Sequence, residues 1–189
     1  MLLYHGTSYS NLKKILKEGI KPRSKNDLGN WKDIPSKEGR IYLTDSTALY
    51  YAYYFYPQKS AILEINTDKL NKNLFGIDED YCIQLESFFK RKCSLKEISK
   101  NIDMKEGDKI WKQSLENIGS CSYKDFIPVS AISRYVVIDW QKNPQLELEA
   151  IDICPNILRY YLYKEEWKKI LTSMDFCDKS NQGENYGIS

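Results

Sequence analysis

The sequence predicts an α+β fold, because strand-like segments recur along the chain with helix-like segments between them. Its 189 residues are 42% hydrophobic, which is enough for the core of one ordinary domain. No internal repeat is visible. We therefore expect a single domain over residues 1–175. The polar stretch at residues 176–189, with Gly183 and Gly187, is expected to be a flexible tail.

The N-terminal part of the chain predicts three strands and two helices. The predicted elements are a buried strand at 2–5, a helix capped by Ser10 and closed by Gly19, a polar loop at 23–39, a strand at 40–44, a helix at 47–56 capped by Ser46, a strand at 60–66, and a turn with a short extension at 68–75. The second helix holds five tyrosines in seven residues, more than one buried stripe needs. One or two of them are therefore expected to face a ligand.

The remainder of the chain predicts more helices and two further strands. The predicted elements are a helix with a capping box at 94–97, a helix with Ile110, Trp111, Leu115 and Ile118 on its apolar face closed by Gly119, strands at 120–127 and 134–139 around a turn at 128–130, and a helix at about 155–174 with Ile157, Leu158, Tyr161, Leu162, Trp167 and Leu171 facing inward. The helices are thus expected to flank a strand-rich core.

Charge and cysteine content exclude several classes of function. The net charge of +2 is too low for a typical duplex-DNA binder. Two basic runs, at 13–25 and 90–100, are either solvated helix faces or surfaces that attract phosphates. The five cysteines show no Cys-x-x-Cys spacing and the single histidine is distant, so no metal site is expected. With no leader-like or membrane-spanning segment, we expect a cytoplasmic protein with reduced thiols.

The single histidine, His5, ends an apolar run and is followed by Gly6, Thr7 and Ser8. Imidazole both donates and accepts hydrogen bonds at neutral pH, and glycine lets a ligand approach the backbone. This combination is typical of a polar-ligand site at a strand end. The alternative interpretation is a histidine that only satisfies its neighbours.

Three segments together resemble motifs of the ADP-ribosyltransferase superfamily, in both its poly(ADP-ribose) polymerase-like and RNA 2′-phosphotransferase branches. The first is YHGTS at 4–8, followed by ILKEGIKP at 15–22. The second is GRIYLT at 39–44, followed by Ala48 and YAY at 51–53. The third is IPVSAISRY at 127–135. The resemblance implies a split antiparallel β-sheet core with flanking helices that binds NAD in a cleft.

The resemblance also implies roles for individual residues. His5 would bond a ribose hydroxyl of NAD, Gly6 would hold the nicotinamide amide through its backbone, and Thr7 belongs to the same NAD-binding motif. Tyr42 would line the nicotinamide side of the site. Tyr53, or alternatively Tyr51, would stack on the nicotinamide ring.

The family's catalytic glutamate has no counterpart at its usual place. Alignment on the third motif puts Cys121 or Ser122 there, and a Cys121 thiolate is one conceivable substitute. The other interpretations are a transferase that relies on its substrate or on another residue, and a carboxylate recruited from elsewhere. Glu79 and Asp80 are the first candidates, and Glu64 and Asp125 follow. Acids at 78–80 are also typical of a helix N-terminus.

The resemblance implies an NAD-dependent mono-ADP-ribosyltransferase, with NAD as substrate. By analogy it would be a bacterial or phage toxin or defence effector, with an antitoxin as one candidate partner. The acceptor would be single-stranded RNA or DNA, favoured by the basic runs and tyrosines, or a protein. An RNA 2′-phosphotransferase is disfavoured because Tyr42 occupies that family's second histidine position. The third alternative is a non-catalytic module that binds NAD, ADP-ribose or nucleic acid.

Overall fold

The chain forms one antiparallel sheet with helices on both faces, which confirms the predicted α+β class. The computed structural model describes residues 1–24, 37–81, 107–153 and 157–178. The strands are β1 (Leu2–Ser8), β2 (Ile41–Thr44), β3 (Lys59–Asn66), β4 (Phe75–Ile77), β5 (Ser120–Tyr123), β6 (Ile132–Asp139) and β7 (Cys177–Asp178). The α-helices with both ends described are α1 (Tyr9–Glu18), α2 (Ala48–Phe55), α3 (Gly107–Ile118), α4 (Pro144–Asp152) and α5 (Ile157–Thr172), and residues 79–81 are also helical. The strand order is β4-β5-β2-β1-β3-β6-β7.

The sheet opens between β1 and β2. Tyr4 and Thr44 form the single register pair that joins these strands in the described part of the chain. On its other side β1 pairs with β3 over its whole length, from Leu2 opposite Asn66 to Ser8 opposite Ser60. Beyond the Tyr4–Thr44 pair the two strands therefore leave space for a cleft inside an otherwise continuous sheet.

Alternation along the strands divides the core into two layers. On one face Leu3, Leu43 and Leu63 pack with the buried side of α1 and with Trp111 of α3. On the other face Tyr4 and Ile62 pack with α2, α4 and α5. Side chains of a strand point alternately to opposite faces, so each strand contributes to both layers.

The helix ends differ in part from the prediction. Ser8, and not Ser10, is the N-cap of α1, because its hydroxyl accepts the Asn11 amide at 3.3 Å. Ser46 does not cap α2; Thr44 Oγ1 accepts the Thr47 amide at 2.8 Å instead. Gly19 does end α1, with φ of 83° and a hydrogen bond from its amide to Ile15.

The C-terminal region departs most from the sequence prediction. The helix α4 was not predicted, and Leu158, Tyr161 and Leu162 of α5 are exposed rather than inward-facing. Tyr160, Trp167 and Leu171 form the buried side of α5. Here Tyr160 donates its hydroxyl to Asp45 at 2.8 Å, which turns that side of the helix toward the sheet.

Two further comparisons concern the chain boundaries. The strand β7 pairs with β6, with Cys177 opposite Tyr135 and Asp178 opposite Arg134, and both β7 residues are exposed. The predicted capping box at 94–97 and the basic run at 90–100 lie outside the described residues, as does the chain from 179 onward. None of the helices in the described ranges combines the length and apolar character needed to traverse a bilayer.

Candidate functional site

A cleft of about 470 Å³ lies where the sheet opens between β1 and β2. Its volume falls within the range of pockets that hold cofactor-sized ligands. The cleft brings together most of the residues that the sequence singled out. The lining includes His5, Gly6 and Thr7 of β1, Asn11, Lys14, Ile15 and Glu18 of α1, residues 19–23, residues 40–44, Tyr51, Phe55 and Tyr56 near α2, Asp78, Glu79, Asp80, and Ser120.

His5 spans the opening from β1 to β2. Its Nδ1 lies 3.0 Å from the carbonyl oxygen of Tyr42. A carbonyl can only accept, so Nδ1 carries the proton and donates. Burial lowers the pKa of His5, while the bond to Tyr42 acts in the opposite direction. The imidazole is therefore neutral at pH 7, with Nε2 as a hydrogen-bond acceptor at the cleft.

Gly6 has a packing role as well as a place in the cleft lining. A Cβ added there would lie 3.2 Å from the Ala52 nitrogen and 3.3 Å from the Ala48 carbonyl oxygen. The absence of a side chain therefore lets α2 lie directly against β1. This contact places the N-terminal turns of α2, and with them Tyr51, beside the cleft.

Glu79 is the carboxylate that the fold brings to Tyr42. The Tyr42 hydroxyl donates to Glu79 Oε1, and the backbone amide of Lys37 donates to the same oxygen at 2.6 Å. The Glu79 side chain is buried, and its Oε2 has no hydrogen-bond partner in the described part of the protein. A buried carboxylate oxygen without a partner is costly, which is typical of an atom that serves a ligand.

The neighbouring acids differ from Glu79 in environment. Asp78 is buried and accepts the Ser120 hydroxyl at 2.7 Å. Burial, with the nearby charges of Asp80 and Glu79, raises the pKa of Asp78 to about 8. Burial and the charge of Glu79 raise the pKa of Asp80 to about 6. At neutral pH Asp78 is thus largely protonated, which reduces repulsion around Glu79.

The other proposed acids do not reach the cleft. Glu64 is buried on β3 and accepts two hydrogen bonds from Arg134, at 2.6 and 3.1 Å. Asp125 is exposed and is not part of the cleft lining. The Cys121 alternative is wrong, because burial raises the pKa of this thiol and keeps it protonated. Of these candidate acids, Glu79 and Asp80 line the cleft.

The aromatic lining corrects one sequence-based assignment. Tyr53 does not lie in the cleft: its hydroxyl donates to Glu147 at 2.7 Å and its ring packs on Trp140. Tyr51 lines the cleft, with its ring nearly parallel to that of Phe55 at a centroid distance of 6.4 Å. The two tyrosines are two positions apart on α2, so they point in different directions.

The cleft lining also includes residues that the sequence analysis did not assign to the site, among them Lys14 and Arg23 of the basic run at 13–25. Asn11, Lys14 and Glu18 line the cleft at the i, i+3, i+7 spacing of one helix face, a pattern visible in the sequence. Arg23 and Arg40 place positive charge at the same cleft. The backbone amide of Lys37 could not be found from side-chain patterns, because every residue except proline has one.

Comparison with known proteins leaves the family open. No family model and no curated protein matches the sequence. Among solved structures, EcPltA has a TM-score of 0.40 and 13% identity, covering 72% of this chain and 74% of that chain. The full-length CARDS toxin has a TM-score of 0.41 and 11% identity over 73% of this chain and 24% of its own. The chain spans about a quarter of that toxin's length.

Proposed function

We propose that the protein is an NAD-consuming ADP-ribosyltransferase whose reaction takes place in the cleft between β1 and β2. The observation that carries the proposal is the presence of Glu79 and His5 in the lining of the same cleft. Glu79 has a buried carboxylate oxygen, Oε2, without a partner among the described residues. His5 has an imidazole nitrogen, Nε2, that can accept a hydrogen bond. The family motifs around His5 and Tyr42 support the same assignment.

The charge distribution in the cleft suits this substrate. Arg23, Arg40 and Lys14 provide cations for a pyrophosphate, and Tyr51 provides a flat surface for an aromatic ring. Glu79 provides negative charge for the electron-poor ribose carbon of the transition state. When the glycosidic bond breaks, its electron pair leaves with nicotinamide. The acceptor then bonds to the ribose carbon and releases its proton to solvent water.

The acceptor is proposed from the surface around the cleft. Lys13, Lys14 and Lys17 are exposed on α1, next to the cleft. A single-stranded nucleic acid would place phosphates along this basic face. A protein acceptor is the second possibility, and an antitoxin is a proposed partner that would cover the cleft.

The first experiment measures nicotinamide release and label transfer from labelled NAD in a cell lysate, followed by digestion with protease, RNase or DNase. We expect release and transfer by the wild-type protein. We expect Glu79→Gln to lower the turnover number by about 10²–10³-fold, as loss of a transition-state charge does. The matched control is Glu166→Gln on the exposed side of α5, which should behave as wild type.

Binding is measured separately by calorimetry. We expect His5→Ala to weaken NAD binding by about 1–3 kcal/mol through the loss of hydrogen bonds. Saturable NAD binding without any turnover would instead support the non-catalytic module, which the Ser120, Cys121 and Ser122 run on β5 favours. NAD consumption only in the presence of a 2′-phosphorylated RNA would identify a phosphotransferase.

A further inference from the structure

One carboxylate oxygen of Glu79 accepts hydrogen bonds, and the other has no partner among the described residues. Its Oε1 accepts from two donors, the Tyr42 hydroxyl and the Lys37 backbone amide. The same amide also lies 2.8 Å from the Tyr42 hydroxyl oxygen, so the three groups form a closed triangle. Oε2 is buried and has no hydrogen-bond partner among the described residues.

This arrangement fixes the direction of a flexible side chain. A glutamate has three rotatable torsions, and hydrogen bonds to a charged group are stronger than those between neutral groups. Two donors on Oε1 therefore restrict the carboxylate to orientations that direct Oε2 away from the triangle. Both donors come from the second-motif region, one from β2 and one from the segment just before it.

The Tyr42 hydroxyl stays protonated in this environment. Burial raises the pKa of Tyr42, and the charge of Glu79 raises it further. The phenol therefore remains a donor throughout the physiological pH range. Tyr42 can hold the carboxylate but cannot act as a general base in this state.

We infer that the Tyr42 hydroxyl and the Lys37 backbone amide are positioning groups that orient Glu79 for the proposed reaction. This inference rests on the proposed function and assigns Tyr42 a role beyond lining the nicotinamide side. Lys37 contributes to the triangle through its main-chain N–H, which every residue except proline has. Misplacement of a reacting group by about 1 Å can cost about 10²-fold in rate.

The principal experiment compares Lys37→Pro with Lys37→Ala. Both variants lose the lysine side chain, and only the proline variant also loses the amide donor. We expect the turnover number of Lys37→Pro to be about tenfold or more below that of Lys37→Ala, with KM for NAD within about twofold. A general distortion of the cleft would instead change KM and turnover together, and would overturn the inference.

The second variant, Tyr42→Phe, keeps the ring and removes the other donor. We expect a loss of turnover of about tenfold, again with KM little changed. In the double variant with Glu79→Gln, the Tyr42→Phe change should cost no further turnover, because groups that act as a unit are not additive. Equal losses in both backgrounds would show that Tyr42 acts independently of Glu79 and would overturn the inference.

The outcomes separate the two proposals. If Glu79→Gln abolishes turnover while Lys37→Pro and Tyr42→Phe match their references, the positioning inference is wrong and the proposed function stands. If the wild-type protein does not consume NAD, or Glu79→Gln is as active as wild type, the role proposed for Glu79 fails and the inference fails with it.

Discussion

Gly6 of β1 and Ala52 of α2 lie in direct contact. A Cβ at position 6 would lie 3.2 Å from the backbone nitrogen of Ala52 and 3.3 Å from its Cβ. These atoms belong to the backbone and Cβ of the fully buried Ala52, so they cannot swing away as the end of a flexible side chain can. The contact sets how closely α2 approaches the cleft, because Tyr51 belongs to the same helix.

We therefore expect Gly6→Ala to lower the free energy of unfolding by about 1–3 kcal/mol through overpacking. Urea denaturation measures this change. The comparison variant is Gly39→Ala, where a new Cβ meets no atom within 4 Å and the cost is limited to the left-handed backbone, with φ of 74°. A Gly6→Ala midpoint equal to wild type would mean that the helix is free to move back.

Tyr51 and Tyr53 are expected to differ in their effect on ligand binding. Tyr51→Leu should weaken NAD binding by about 1 kcal/mol, or roughly fivefold, because a flat ring leaves the cleft. Tyr53→Leu is the matched control on the same helix. Its loss of the bond to Glu147 should reduce stability and leave NAD affinity unchanged. Calorimetric titration measures both. The opposite pattern would place the stacking ring at Tyr53.

Asp78 is expected to make stability fall as pH rises through neutrality. In the folded state its pKa is about 8, against an ordinary value of 3.8, so the folded protein binds more protons than the unfolded chain between these values. Stability therefore decreases with rising pH over this interval and becomes constant above it. The pKa of Asp80 is about 6, so its effect on the pH dependence of stability falls at lower pH than that of Asp78.

Asp78→Asn removes that titration and keeps the shape of the protonated side chain. Between pH 6.5 and 8.5 we expect the wild type to lose up to about 1 kcal/mol per pH unit and the variant to lose much less. Denaturation midpoints across this range provide the measurement. Asp125→Asn, at an exposed acid, should retain the wild-type slope. A wild-type curve that rises over this interval would contradict a raised pKa at Asp78.

Arg134 is expected to stabilise the fold through Glu64. The two form a bidentate pair in which Glu64 is buried and Arg134 is half-exposed. Arg134→Ala would leave a buried carboxylate without its charge partner, and we expect a loss of about 1–3 kcal/mol in the free energy of unfolding. The comparison is Lys142→Ala, whose pair with Asp139 is exposed and 3.7 Å long. That loss should stay below about 0.5 kcal/mol.

The sequence determined the elements whose signals are local. Hydrophobic alternation predicted the central strands, and Gly19 and Gly119 ended their helices as expected because both have a positive φ. The candidates His5, Gly6, Thr7, Tyr42, Glu79 and Asp80 all line one cleft. The family resemblance, and not periodicity or capping, suggested these residues, and the motifs that carry it are local stretches of sequence.

The tertiary structure decided what depends on distant contacts. Tyr51 faces the cleft, whereas Tyr53 donates its hydroxyl to Glu147, far along the chain. The exposed side of α5 follows from the bond between Tyr160 and Asp45. The hydrogen bonds from Tyr42 and Lys37 to Glu79 join segments about forty residues apart. Amino-acid composition and hydrophobic periodicity do not show which residues distant in sequence come into contact. The packing of the whole sheet determines these contacts.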